Sequence, residues 1–211
     1  MSRYLALFPL NIVVFPREKL NLHIFETRYK QLVHECMVQE KTFGIPTFIQ
    51  ENVGIYGTEV KILSIDKKYE NGEMDIRTEG VGIIKILQFD KRASGRLYPG
   101  GDVEDVISAD DEDIVMKQQI QELMQQLYQL LDIRKLNINL EDNFKTYDIA
   151  HHLGFNLEQE YALLQIRSEY ERQALILQHL QQILPLVQET ERLKERVKLN
   201  GHFKNIVPPN F

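Results

Sequence analysis

The N-terminal half of the chain consists of short apolar runs that alternate with polar positions, a pattern typical of β-strands. In KLNLHI, residues 19–24, Leu20, Leu22 and Ile24 recur with a period of two and so share one face of a strand. Similar runs occupy residues 43–49, 56–66, 72–80 and 81–90. Several short strands separated by turn residues predict a small barrel or sandwich.

Three features punctuate these strands. Pro9 and Pro16 interrupt the first two apolar runs, and because proline cannot donate to a sheet ladder they predict strand ends, edges or bends. Asn71 and Gly72 lie between two strand-like runs and predict a hairpin whose two turn residues both take positive φ.

After residue 26, the spacing of the apolar residues changes from a period of two to the spacing of a helix. Five apolar positions then follow helical spacing and predict one stripe of an amphipathic helix: Tyr29, Leu32, Val33, Cys36 and Met37. Glu26 precedes this stripe, and we expect its carboxylate to accept backbone N–H groups at the helix N-terminus. Residues two apart on a helix do not face each other, so we expect Arg28 to point elsewhere and the pair to be structural rather than catalytic.

Residues 107–113 carry an acidic cluster of the kind found at a helix N-terminus, and the chain beyond it is helical in pattern. A first helix is predicted from the spacing of five apolar residues: Met116, Ile120, Leu123, Leu127 and Leu130. A polar stretch at 135–146 interrupts the pattern, and Gly154 predicts a left-handed cap after a short helix.

Asn156 and Gln159 stand in capping-box positions at the start of the next helix. A long helix follows, with an apolar stripe that serves either core packing or, less readily, a homodimer: Ile176, Leu180, Ile183 and Val187. Pro185 predicts a kink in it, and an apolar tail ends the chain. We therefore predict two domains, a β-rich domain at 1–110 and a helical bundle at 111–211 with a long kinked C-terminal helix and an apolar tail.

Composition narrows the function classes. The 211 residues include a single cysteine, Cys36, which excludes an internal disulfide and favours a cytoplasmic location. The formal net charge is −6 and neither half is basic, so nucleic acid is an unfavourable partner. The N-terminal apolar run is too short to span a bilayer, and Arg17 to Lys19 stand where a signal-peptide cleavage site would lie.

No motif for catalysis, a cofactor or a metal emerges from the sequence. It contains no phosphate-binding loop, no dinucleotide fingerprint and no serine elbow. His151 and His152 are adjacent and diverge on a helix, while His34, Glu35 and Cys36 have no second ligand pair at zinc-like spacing. We therefore expect no catalytic residue, no cofactor and no metal.

The segment LALFPLNIVVFPREKLNLHIFETRYKQLVHECM, residues 5–37, resembles the start of the Lon protease N-terminal, substrate-binding domain. The residues at matching places are Phe8, Pro9, Leu10, Phe15, Pro16, Leu20, Leu22, Ile24, Phe25, Glu26, Arg28 and Tyr29. Residues 56–66 and 69–89 are similar to a later strand and hairpin of that family. Thr27 stands where the family often has proline, and residues 82–85 lack the family's usual arginine.

The resemblance implies an α+β fold, in which a β-rich PUA-like pseudo-barrel with an inserted helix precedes a C-terminal α-helical bundle. It further implies a stand-alone form that lacks the ATPase and Ser–Lys protease modules and is not an enzyme. The implied function is non-catalytic binding of unfolded or tagged polypeptides, in connection with a protease system and away from membranes. Two alternatives stay open: an RNA-binding PUA-like protein and an enzyme of unrecognised type.

Site residues follow from the same resemblance. The binding surface is expected to be apolar, near the junction of sheet and bundle or at a free strand edge, with contributions from Phe8, Phe15 and Phe25, although core packing is an open alternative for each. The residues assigned to architecture are Pro9, Pro16, Glu26, Arg28 and Tyr29.

Overall fold

The computed structural model describes residues 2–131 and 144–202, with side chains up to residue 197. Most of the predicted polar interruption and nearly all of the predicted C-terminal tail lie outside the described residues. Within the described part, no helix combines the length and the apolar content needed to cross a membrane.

In the part of the chain that the structure describes, six strands form one antiparallel sheet. They are β1 (Arg3–Ala6), β2 (Lys19–Ile24), β3 (Phe43–Ile49), β4 (Asn52–Lys68), β5 (Met74–Asp90) and β6 (Gly100–Val106). The order is β1-β6-β5-β4-β3, and β2 pairs with the first part of β5. The helices are α1 (Thr27–Gln39), α2 (Ile114–Leu130), α3 (Thr146–Ile149), α4 (Leu157–Gln165) and α5 (Glu169–His202), with a 3₁₀ turn at Ala150–His152.

The segment after β1 closes the sheet on itself. Leu7 and Leu10 form parallel bridges to Gly44 and Thr47 of β3, the strand at the opposite end of the sheet order. Phe8 N–H donates to the Gly44 carbonyl at 2.8 Å and Leu10 N–H to the Pro46 carbonyl at 3.1 Å. The predicted α+β fold, a barrel-like β region with an inserted helix and a helical part after it, is confirmed.

The hairpin predicted at Asn71 and Gly72 joins β4 to β5, but its turn type differs from the prediction. Gly72 has a φ of 76°, whereas Asn71 is not in the left-handed region. Gly72 N–H donates to Tyr69 and Tyr69 N–H to Glu73, so the loop is longer than two residues. Asn71 instead accepts the Glu73 N–H with its side-chain oxygen at 3.1 Å, a local bond typical of asparagine in turns.

Helix α1 covers one face of the sheet, as its stripe predicts. Tyr29, Leu32, Val33 and Cys36 are buried, while Met37, assigned to the same stripe, is 42% exposed. Met37 lies at the edge of the apolar stripe, where a long flexible side chain can remain in water. The buried residues pack with β-sheet residues such as Phe43, Ile45, Val60 and Ile76 in one hydrophobic cluster.

The described residues fall into two compact units, one within residues 1–110 and 145–169 and the other within residues 111–144 and 170–211. Residues 145–169, which the sequence assigned to the helical bundle, therefore group with the sheet. The domain boundary at 110/111 stays a prediction. Two local predictions in the first unit are confirmed: Gly154 has a φ of 71°, and Asn156 and Gln159 form a reciprocal capping box.

In the second unit, Asp113 caps α2 by accepting the Met116 N–H at 2.8 Å. The buried face of α2 is rotated from the predicted stripe: Lys117, Ile120, Met124 and Leu127 are buried, while Met116, Leu123 and Leu130 are only half-buried. Lys117 keeps its charge paired with Glu112 at 3.2 Å while its stem is covered.

Helix α5 continues through Pro185, and the kink there stays a prediction. Ile176 and Leu180 of its predicted stripe are fully buried, whereas Ile183 and Val187 are half-buried. Core packing therefore accounts for the first half of the stripe.

Candidate functional site

The three phenylalanines predicted for binding lie in different environments. Phe8 is 7% exposed and stacks on Tyr29 with ring centroids 3.7 Å apart, and Phe15 is fully buried against Tyr147. Phe25 is 58% exposed. The structure does not bring the three into one surface, and their role in binding stays a prediction.

Glu26 and Arg28 form an ion pair, contrary to the expectation that each acts alone. Arg28 donates to the Glu26 carboxylate at 2.8 Å, and Glu26 makes no side-chain bond to the helix N-terminus. The i,i+2 rule does not apply because Glu26 is the N-cap, with extended backbone at φ −71° and ψ 136°. The Arg28 guanidinium also lies 4.5 Å from the Tyr29 ring centroid, so the group fixes the start of α1.

The two prolines occupy positions where no N–H is needed. Pro9 lies between Phe8 and Leu10, which donate to β3, so its nitrogen faces away from that strand. Pro16 is the second residue of a turn closed by the Glu18 N–H to Phe15 carbonyl bond, and Arg17 follows with a φ of 68°. Proline followed by a positive φ is the signature of a type II turn. Both positions suit proline, and the architectural role of the two prolines stays a prediction.

A groove of about 490 Å³ opens between β1, the C-terminal end of α1 and the β5–β6 loop. Its size falls within the range of small-ligand and side-chain pockets, about 300–1,000 Å³. The lining residues are Tyr4, Leu5, Ala6, Glu35, Cys36, Gln39, Lys41, Thr42, Asp90, Ala93, Ser94, Arg96 and Tyr98. All of them belong to the β-rich unit.

Two of the charged residues in the groove, Glu35 and Arg96, pair with each other. Glu35 accepts from the Tyr98 hydroxyl at 2.7 Å and pairs with Arg96 at 2.8 Å. Burial opposes ionisation of Glu35, but the hydrogen bonds from Tyr98 and Gln31 and the Arg96 charge outweigh it and lower the pKa of Glu35. Burial and the Glu35 hydrogen bond raise the pKa of Tyr98 to about 12, so Tyr98 remains a neutral donor.

Two further groups show what the groove can do chemically. Burial and the neighbouring Glu35 charge raise the pKa of the Cys36 thiol to about 11, so this cysteine is a poor nucleophile at neutral pH. The Tyr4 hydroxyl donates to Asp90 at 3.1 Å, which fixes the rim. The groove thus combines the apolar surface of Leu5, Ala6 and Ala93 with the charged side chains of Lys41 and Asp90.

A second cluster surrounds His151. Its ring lies 2.7 Å from the Glu160 carboxylate and 3.1 Å from that of Glu18, with Phe15 packed beside it. The hydrogen bond to Glu18 and the nearby Glu160 carboxylate raise the pKa of His151 to about 9, although partial burial opposes them. His151 is thus a cation at neutral pH and ties α4 to the turn before β2.

His152 behaves differently, because burial and the His151 charge lower its pKa. Within the described ranges, no cluster of three or more histidine, cysteine, aspartate or glutamate side chains has metal-binding geometry. Of the groove residues, the sequence draws attention only to Glu35 and Cys36, Cys36 as an apolar helix residue and both as members of a set without zinc-like spacing. The loop residues 90–98 carry no motif, and only closure of the barrel brings them to α1.

Comparison with known families matches residues 4–182 to the sequence model described as "ATP-dependent protease La (LON) substrate-binding domain". No curated protein sequence gives a match. Among solved structures, the chain is similar to the Lon N-terminal domain protein from Xanthomonas campestris, with a TM-score of 0.66, 26% identity, and coverage of 83% of this chain and 97% of that one.

The chain is also similar to the N-terminal domain of the Mycobacterium avium complex Lon protease, with a TM-score of 0.67 over 85% of this chain and 98% of that one. The identity there is 13%, so this likeness concerns the fold.

Proposed function

This chain belongs to the ATP-dependent protease La (LON) substrate-binding domain family, and from that we propose that it is a non-catalytic module that binds unfolded polypeptide. The family match over residues 4–182 is the observation that carries the proposal. A substrate-binding role in general follows from the family. We propose in addition that the substrate is polypeptide, that it is passed to a protease system, and that the protein is located in the cytoplasm.

The chemistry of the groove supports binding without catalysis. Glu35 pairs with Arg96 and accepts a hydrogen bond from Tyr98. The buried Cys36 thiol is protonated at neutral pH. General acid–base catalysis needs a group whose pKa lies near the working pH. Neither Tyr98 nor Cys36 meets that requirement.

Binding to an unfolded chain tests the proposal. Labelled α-lactalbumin, reduced and carbamidomethylated so that it stays unfolded, is titrated with the module, and fluorescence anisotropy reports the complex. This probe is acidic, so charge attraction to an acidic module does not produce binding. The folded, disulfide-bonded form of the same protein is the matched control.

We expect the module to bind the unfolded form and not the folded form. Equal binding of both forms, or of neither, would contradict the proposal. A labelled single-stranded RNA at low salt provides a further arm, and retention of RNA without retention of unfolded protein would replace polypeptide with RNA as the ligand.

A further inference from the structure

Strand β1 presents a partly unpaired edge to the groove. Leu7 N–H donates to the Pro99 carbonyl at 2.9 Å, so Leu7 is a hydrogen-bonded partner of the segment that enters β6. Hydrogen-bonded positions alternate along an antiparallel pair. Arg3 and Leu5 therefore exchange hydrogen bonds with β6, and the N–H and C=O groups of Tyr4 and Ala6 point to the other side.

On this second side of β1, the residues that follow the strand form hydrogen bonds with β3. Phe8, the next residue in the same alternation, donates its N–H to the Gly44 carbonyl of β3. Tyr4 and Ala6 continue this row beyond the last bridge, at Leu7 and Gly44, and both line the groove. The parallel bridge between Leu7 and Gly44 uses the Phe8 N–H and the Ala6 carbonyl. Within the described part of the chain, the groups of this edge that no bridge or ladder uses are therefore the Tyr4 N–H, the Tyr4 carbonyl and the Ala6 N–H. The barrel seam is closed from the Ala6 carbonyl onward and open before it.

We infer that an extended segment of unfolded polypeptide adds to the Tyr4–Ala6 edge as a further strand, with side chains entering the groove. The inference rests on the proposed function and assigns its binding surface. Unpaired backbone donors and acceptors in strand spacing recognise another main chain, and such β-augmentation gives affinity without a defined sequence.

The chemistry of the groove limits which side chains of the bound segment can enter it. Glu35 and Arg96 pair with each other, and Asp90 accepts a hydrogen bond from the neutral Tyr4 hydroxyl, so contacts to a charged side chain would fall to Asp90 and Lys41. Leu5, Ala6, Cys36 and Ala93 supply apolar surface. Segments with small or medium apolar side chains at alternate positions therefore fit against this apolar surface, where desolvation disfavours a charged side chain.

The test uses the unfolded α-lactalbumin probe and two proline variants. Ala6→Pro removes the N–H that faces the groove without removing a bond to β6, since that N–H does not take part in the ladder. Asn21→Pro is the matched control. The Gly80 N–H to Glu18 carbonyl bond sets the alternation of β2, so the Asn21 N–H also points away from its partner strand β5. We expect Ala6→Pro to weaken binding at least tenfold and Asn21→Pro to leave it unchanged.

Two further measurements keep the result independent of folding defects. Ser94→Trp, a change at an exposed rim position, fills the groove and should also weaken binding at least tenfold. In the wild-type protein, exchange of the Ala6 amide hydrogen should slow when the probe saturates the module, because that hydrogen becomes bonded.

The outcomes separate the two proposals. Three results would each overturn the β1 edge while leaving polypeptide binding intact. They are wild-type affinity in Ala6→Pro, an equal or greater loss of affinity in Asn21→Pro, and exchange of the Ala6 amide hydrogen that does not slow when the probe binds. Failure of the wild-type module to bind the probe would remove the proposed function itself.

Discussion

The ion cluster at His151 gives the β-rich unit a stability that depends on pH. A rise in the pKa of His151 from 6.5 to about 9 corresponds to at most about 3.4 kcal/mol of folding free energy, at about 1.36 kcal/mol per pKa unit. The ring is 36% exposed, so solvent screens the pair, and about 1–2 kcal/mol is the expected contribution. Glu18 and Glu160, both less exposed than the ring, are the carboxylates that supply it.

The sign follows from the direction of the pKa change. A group whose pKa is higher in the folded state stabilises the fold fully below its unfolded pKa and loses that contribution as the pH rises through the folded value. The His151 contribution is therefore present at pH 6, decreases above it and is lost at pH 10. Replacement by glutamine removes the titration and keeps a hydrogen-bonding side chain.

Urea unfolding of the wild-type and His151→Gln proteins at pH 6, 7.5 and 10 measures the effect. We expect the variant to be less stable by about 1–2 kcal/mol at pH 6, with the difference shrinking towards zero at pH 10. His152→Gln is the matched control, because the pKa of His152 is lowered rather than raised. A difference that stays constant with pH, or a His151 ring that titrates near 6.5 by NMR, would refute the reasoning.

Three other predictions concern packing. Gly80→Ala should lower the free energy of unfolding in urea by about 1–3 kcal/mol, because the new Cβ would lie 2.3 Å from the Phe15 carbonyl oxygen. Gly82→Ala is the control: its Cβ would have no atom within 4 Å, and the change should be less than about 1 kcal/mol. Equal effects of the two changes would contradict the register. Phe15→Ala should cost about 3–5 kcal/mol and Phe25→Ala about 0.5 kcal/mol or less, measured in the same way, and a large loss at Phe25 would show that it packs in the core. Cys36 should react with iodoacetamide slowly at pH 7.5 and quickly in urea, as followed by mass spectrometry, and rapid labelling of the folded protein would contradict its burial and its pKa of about 11.

Local features of the fold are predictable from the sequence because their causes are local. The alternation of Leu20, Leu22 and Ile24 gives β2, and the reciprocal bonds of Asn156 and Gln159 start α4. The turn at Asn71 shows the limit of this reasoning. Its dipeptide predicts a hairpin, but the turn type also depends on the bonds that Tyr69 and Glu73 make across the loop.

The candidate site is less predictable because its parts come from distant segments. Tyr4, Cys36 and Arg96 line one groove, yet nothing in their local patterns relates them. Sheet order places β1 beside β6, and the loop before β6 carries Arg96 to the Glu35 carboxylate. Sequence reasoning therefore finds the apolar Phe8 and Phe15, which are buried, and misses the rim that is open to a ligand.

The seam changes from closed to open beside Gly44. A Cβ at this position would lie 2.6 Å from an Ile84 side-chain atom and 2.7 Å from one of Leu7, so these side chains would have to shift to admit a larger residue where the segment after β1 approaches β3. On one side of Gly44 the Phe8 and Leu10 N–H groups are bonded to β3. On the other side, Lys41 and Thr42 line the groove across from β1, and no strand pairing joins them to it. The bridge between Leu7 and Gly44 thus marks where strand pairing ends, so the length of β1 that our inference offers to a partner is set by the fold itself.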